Sequence, residues 1–255
     1  MTIDHVQALS GQAGLAGIQS LMLDTSVQDR LRGALCDLLQ EPYTLGEMTL
    51  QRAKYKPGRH LTTYYAVQVA APDDTRQSRL IEVSWRMPGS PDPRGEAGAM
   101  NAMQADARTH GCVQPFRALM QTITDLDCYI QLFPLDADFP NLVQLSDPVA
   151  VTRMLQEAQL GYTGSPSYEV TPVRYRPGQR HVLRYDPLDS SGATVPRSAL
   201  FAKLYNNDKG IHTVAVARNV SEWLAEQNRG IHAVRPSGYV EPLDLALYPY
   251  VDGVP

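Results

Sequence analysis

Along residues 26–40, SVQDRLRGALCDLLQ, the apolar side chains Val27, Leu31, Ala34, Leu35 and Leu38 recur at helical spacing, which predicts an amphipathic helix capped by Thr25 or Ser26. Residues 147–159 repeat the pattern with Val151, Met154 and Leu155 inward, and Asp147-Pro148 supplies a favoured cap and first turn. After each helix a connection rich in Gly, Pro, Ser and Thr leads into a short run of β-formers, 48–54 and 169–174. A Pro-Gly pair breaks each run, and the chain returns as a second strand over 61–69 or 181–185, so each pair predicts a hairpin. Asp73-Asp74 and Asp189-Ser190-Ser191-Gly192 mark the next turns, ahead of third strands at 79–87 and 199–205. Helices follow over 96–110, from Glu96 to a stop at Gly111, and over about 211–227, stopped by Gly230. Each series closes with a short fourth strand and an apolar fifth, 127–133 and 243–250.

The second series is a copy of the first. Tyr55-Lys56-Pro57-Gly58-Arg59-His60 returns as Tyr175-Arg176-Pro177-Gly178-Gln179-Arg180, an offset of 175 − 55 = 120. At that offset Tyr65 faces Tyr185, Leu80 faces Leu200, Ile81 faces Phe201 and Trp85 faces Tyr205. Near the ends the offset falls to 115, with Phe133-Pro134 opposite Tyr248-Pro249. Fixed-offset similarity implies one structural unit built twice. The predicted fold is α+β: two tandem units, each a five-stranded, mostly antiparallel sheet with a packed helix and a preceding helix. The domains read as an N-terminal segment 1–25, a first unit 26–145 and a second unit 146–255, with the two layers joined around Gly161 to Ser167.

Composition narrows the class. A hydrophobic content of 43% with 20% charged residues suits a soluble globular protein. No stretch approaches the roughly 18 apolar residues of a membrane span, and Met1-Thr2-Ile3-Asp4 lacks the features of a secretory signal, so a cytoplasmic protein without membrane contact is expected. Cys36, Cys112 and Cys128 form no CxxC pair and read as buried reduced thiols. A net charge of −4 offers no global field for nucleic acid, so nucleic acid is not expected as a partner. Positive charge is local instead, at Lys54, Lys56, Arg59 and His60, then at Arg174, Arg176, Arg180, His181 and Arg184. Such clusters either hold a small anion or form the solvated outer face of a strand pair. Asp136-Ala137-Asp138 reads as a solvated turn rather than a metal pair.

Three motifs of the second copy go further. Phe201-Ala202-Lys203-Leu204-Tyr205 places a Lys on the third strand, Glu222 follows 19 positions on in the helix with Glu226 as its rival, and Tyr248-Pro249-Tyr250-Val251-Asp252-Gly253 ends the fifth strand. In this order the second copy resembles the N-terminal lobe of the protein-kinase-like fold, in particular the bacterial aminoglycoside phosphotransferases and their choline-kinase-like relatives. The resemblance implies ATP as the ligand, Lys203 on its phosphates, Glu222 orienting that Lys, and backbone groups of Tyr248 and Tyr250 against adenine. It also implies that the turn from Arg176 to Arg180 covers the phosphates, although Gly178 is its only glycine, so Arg176 or Arg180 would contribute through side chains.

The first copy keeps the scaffold without that chemistry: Val83 stands opposite Lys203, and its helix has no Glu after Glu96, only Asp106. A structural or docking role is expected for it. The catalytic lobe of the resembling family carries an H-x-D loop, and no His of this chain is followed by Asp two positions on. The chain therefore reads as the nucleotide-binding portion of a phosphotransferase, without catalytic or metal-binding residues of its own, that uses Mg2+ only together with a C-terminal lobe. A non-catalytic adaptor is the competing reading, in which residues 243–250 form an unpaired apolar edge for a partner chain.

Overall fold

No structure is predicted ahead of residue 25, yet two helices occupy that segment, α1 (His5–Ser10) and α2 (Gly14–Leu23), and they bury Ala8, Leu9, Ile18 and Leu21. They belong to the first of two compact units, Met1–Leu135 and Asp136–Pro255, so the division falls at Leu135/Asp136 rather than at 145/146. The computed structural model describes residues 5–89, 97–165, 167–206, 209–227 and 230–252; Glu96 and Gly253, named above, lie outside them.

In the first unit α3 (Thr25–Leu38) buries the five apolar residues that its spacing predicts. Its cap is Asp24, one residue earlier than expected: the carboxylate accepts the Ser26 N–H at 2.9 Å. Then come β1 (Thr44–Lys56), β2 (His60–Ala70), β3 (Arg76–Arg86), α4 (Ala97–Thr109), β4 (Met120–Ile123) and β5 (Cys128–Leu132). The sheet order is β1-β2-β3-β5-β4, antiparallel throughout. Leu61, Tyr65, Ile81, Trp85 and Ile130 fill the core, and α4 buries Met100, Met103 and Ala107. Of the three cysteines only Cys128 is buried. Cys36 is exposed and Cys112 is intermediate, which corrects the expectation of three buried thiols; all three are free.

The second unit repeats the series. Asp147 caps α5 (Pro148–Glu157) by accepting the Val149 N–H at 2.9 Å, and Ala150, Val151, Met154 and Leu155 point inward. β6 (Ser167–Arg176), β7 (Arg180–Leu188), β8 (Leu200–Leu204), α6 (Lys209–Gln227), β9 (Gly238–Val240) and β10 (Leu245–Pro249) follow. The order is β6-β7-β8-β10-β9, again antiparallel. The α+β class with two sheet-plus-helix units is as predicted. Gly161 to Ser167, however, lies inside the second unit, where it leads from α5 into β6.

Two further expectations change. β10 is flanked by β8 and β9, and Leu245, Ala246 and Leu247 are wholly buried, so its apolar run is the signature of an interior strand and not of an open edge. The repeat is also not in constant register. Tyr65 pairs with Ile81 and Ile81 with Leu132, whereas Tyr185 pairs with Leu200 and Leu200 with Pro249. The offset is 120 on the second strand, 200 − 81 = 119 on the third and 249 − 132 = 117 on the fifth. Lys203 therefore matches Ser84, not Val83, and Tyr205 matches Arg86, not Trp85. A one-residue slip moves every side chain to the opposite face, which is why the distinction matters.

Candidate functional site

Cross-strand partners share a sheet face, and alternate residues along a strand return to it. Val182, Lys203, Ala246 and Tyr239 therefore form one row across the second sheet, and Arg184, Phe201 and Tyr248 form the next. The opposite face carries His181, Leu183, Tyr185, Leu200, Ala202, Leu204, Leu245 and Leu247, all buried. On the first face the Lys203 ammonium lies 4.8 Å from the centre of the Tyr205 ring, and the Arg184 guanidinium lies 6.0 Å from that of Phe201. Arg184 also donates through Nε and Nη2 to Asp186 Oδ1, at 3.0 and 2.7 Å. Lys203, Phe201, Tyr205 and Tyr248 are each half-buried. The Tyr248 hydroxyl is pushed up to about 12, chiefly by burial and against the pull of the nearby Lys203 charge. The face thus combines two cations with flat aromatic rings.

Glu222 is not brought to this row. α6 begins against Tyr239, where a side chain at Gly210 would meet the Tyr239 hydroxyl at 2.8 Å, so glycine permits the close approach. Twelve residues further along, roughly 18 Å at the helical rise, the exposed Glu222 pairs with Arg235 at 3.0 Å. Glu226 is exposed as well. Among the described residues no ion pair joins Lys203 to either. Tyr248 of β10 pairs with Phe201 of β8, and β9 stops pairing at Leu247, while the Tyr250 N–H donates to the Ala199 carbonyl at 2.9 Å.

The Pro-Gly turn is occupied from within the unit. Arg176 pairs with Arg180, the Gln179 N–H closes the turn on the Arg176 carbonyl at 3.0 Å, and Gly178 has φ +67, a value that favours glycine. The Gly178 N–H donates to Asp136 Oδ2 at 2.8 Å, and His181 Nε2 lies 2.6 Å from the same oxygen. An acceptor-only carboxylate makes Nε2 the donor. The Phe139 ring stands edge-on to the imidazole at 4.7 Å and Tyr175 is tilted beside it at 5.4 Å. Asp136 and His181 are buried, at 2% and 0% exposure, which corrects the reading of 136–138 as a solvated turn; of the two acids only Asp138 is exposed. Burial, then the Asp136 charge, raises the Asp138 carboxyl above its ordinary value. The sequence carries a signal of this burial in the flanking apolar residues Leu135 and Phe139, both of which are buried. Arg180 remains exposed and Arg176 half-buried at the rim of the turn.

The first unit closes the same turn without a charge. Gly58, at φ +68, donates its N–H to the Leu9 carbonyl at 2.8 Å, and the Tyr55 hydroxyl donates to that carbonyl at 3.0 Å.

Among the described residues no group of three His, Cys, Asp or Glu side chains could hold a metal ion, and no helix is long and apolar enough to cross a membrane. No family model, curated protein or solved structure matches the chain.

Proposed function

We propose that the second unit is a nucleotide-binding lobe, the ATP-handling part of a small-molecule phosphotransferase similar to the aminoglycoside and choline kinase group. The observation that carries the reading is the half-exposed Lys203 on the third strand, in contact with the Tyr205 ring and on one face with Phe201 and Tyr248. A cation of this kind suits phosphate oxygens, and the rings offer flat apolar surface to a base. The described residues supply no magnesium ligand set, so the proposal is limited to contacts with the nucleotide itself. Half a cleft binds weakly, with a Kd on the order of 1 mM, worth about 4 kcal/mol. Calorimetry with ATP tests it: Lys203→Ala should weaken binding about tenfold, the loss of one charge-assisted contact. Equal affinity in the two proteins would refute the assignment.

A second reading, a non-catalytic adaptor, is favoured by α6. Val216, Val220 and Trp223 lie at helical spacing with exposures of 45%, 44% and 58%, an apolar stripe turned to solvent. Under this reading Trp223→Ser abolishes association with a partner chain, and ATP has no measurable affinity for the unsubstituted protein.

A further inference from the structure

The two Pro-Gly turns share their backbone, but they differ in what the glycine amide holds. In the first unit a neutral carbonyl, Leu9 O at 2.8 Å, is sufficient to fasten Gly58. The turn itself therefore does not require a charged acceptor. In the second unit the acceptor is a carboxylate oxygen that two donors converge on, Gly178 N–H at 2.8 Å and His181 Nε2 at 2.6 Å. Burying that oxygen costs desolvation energy that a carbonyl would not incur, and the converging donors offset it. The Asp138 N–H holds the other oxygen at 3.0 Å and so aims the side chain. His181 is itself fixed, packed against Phe139 and Tyr175 with no exposed surface. Preorganised donors converging on one oxygen are how proteins hold small anions, and Arg176 and Arg180 stand at the rim.

We infer that the Pro-Gly turn of the second unit is a preformed oxyanion seat whose resident anion is the chain's own Asp136 carboxylate, so that a phosphate reaches Gly178 only by displacing Asp136. The seat stands on the geometry alone; its role toward a nucleotide rests on the function proposed above. Asp136 is then an autoinhibitory contact, and the protein with Asp136 in place has low affinity for anions at this turn.

The test replaces the resident. In the full chain, Asp136→Ala should gain a saturable rise of several degrees in Tm on addition of formate or inorganic phosphate, measured against chloride at equal ionic strength. The unsubstituted protein should not respond. In the same titration the Gly178 amide resonance should move in the variant and stay fixed in the parent. A folded variant that treats phosphate, formate and chloride alike overturns the inference. So does a variant that is unfolded in chloride and is not restored by formate at several hundred millimolar. ATP separates the two readings. If Asp136→Ala binds phosphate and also binds ATP roughly tenfold more tightly, what one charge-assisted hydrogen bond supplies, both stand. Phosphate binding without any ATP binding keeps the seat and removes the nucleotide lobe. Lys203-dependent ATP binding without an anion response removes the seat alone.

Discussion

On the first sheet, the face that matches the Lys203 face carries Thr62, Glu82, Ser84, Tyr129 and Gln131, and every one of them is buried. Thr62 and Ser84 share a hydroxyl hydrogen bond at 3.1 Å, and Arg86 stacks over Tyr129 at 5.6 Å. On the second sheet the corresponding positions are Val182, Phe201, Lys203, Ala246 and Tyr248, and most of them are only half-buried. One scaffold therefore encloses a buried polar layer, whereas the other leaves a cation and aromatic rings half-exposed. Buried polar groups need internal partners, and a half-exposed Lys does not. The contrast teaches that the duplicated strands supply position, while the residues on one face decide whether that position is a closed layer or an accessible one.

The largest expected effect tests the register on which this contrast depends. Trp85 is wholly buried on the core face, and its sequence partner Tyr205 is half-buried on the opposite one. Trp85→Ala should cost about 3–5 kcal/mol, as expected for emptying a large core site. Tyr205→Ala should cost no more than about 2 kcal/mol. Guanidinium unfolding of both variants measures the difference. Equal losses would restore the 120 offset of the sequence and dissolve the match between Lys203 and Ser84.

Gly58 and Gly178 sharpen the comparison of the turns. Their φ values, +68 and +67, make the backbone penalty of an Ala substitution the same in both, about 1–2 kcal/mol. Nothing lies within 4 Å of a side chain at Gly58, whereas one at Gly178 meets Asp138 Oδ2 at 3.1 Å. Gly178→Ala should therefore be the more damaging of the two, and thermal unfolding should rank them in that order. The reverse order would show that the second turn does not need its acids where they stand.

The strands, the helices from α3 onward and the duplication were legible because each depends on short-range pattern: runs of β-formers, a period near 3.6 in α3 and α5, and Pro-Gly breaks. The register was not, since the connection from β2 to β3 runs from Ala70 to Arg76 and that from β7 to β8 from Leu188 to Leu200, and an aligned sequence does not show where a sheet absorbs the difference. Nor was the seat at Gly178. It joins Asp136 to a turn 42 residues later, a contact that no local pattern encodes. Lys203 and Glu222 are both named through the resemblance; β8 and α6 carry them as expected, but Glu222 pairs with Arg235 and no ion pair between the two is present among the described residues.

The helix caps give a smaller effect and a check on equivalence. Asp24→Ala and Asp147→Ala should each cost about 1 kcal/mol, because each removes one carboxylate acceptor from an N-terminal amide. Similar losses in urea titrations are expected even though the surrounding chemistry of the two units has diverged. A loss at only one of them would mean that the helices preceding the sheets are not equivalent.

The smallest effect is one of sign. Burial and the neighbouring Asp136 raise the Asp138 carboxyl above 3.8, so the folded state binds its proton more readily than the unfolded chain does. Stability is therefore lost as pH rises through the window above 3.8. Asp138→Asn should be slightly more stable than the parent at neutral pH, with the gap closing as pH falls to 3.8 and below. Asp189 runs the other way: the Ser191 hydroxyl and backbone amides of Ala193 and Ser191 lower its carboxyl. Its contribution is present above 3.8 and is lost as pH falls through the lowered value, so Asp189→Asn should be the less stable protein at neutral pH. Tm against pH for the two variants should give curves that move to opposite sides of the parent. Shifts of the same sign would mean that Asp138 gains from its place beside Asp136, contrary to a turn whose anion seat is already filled.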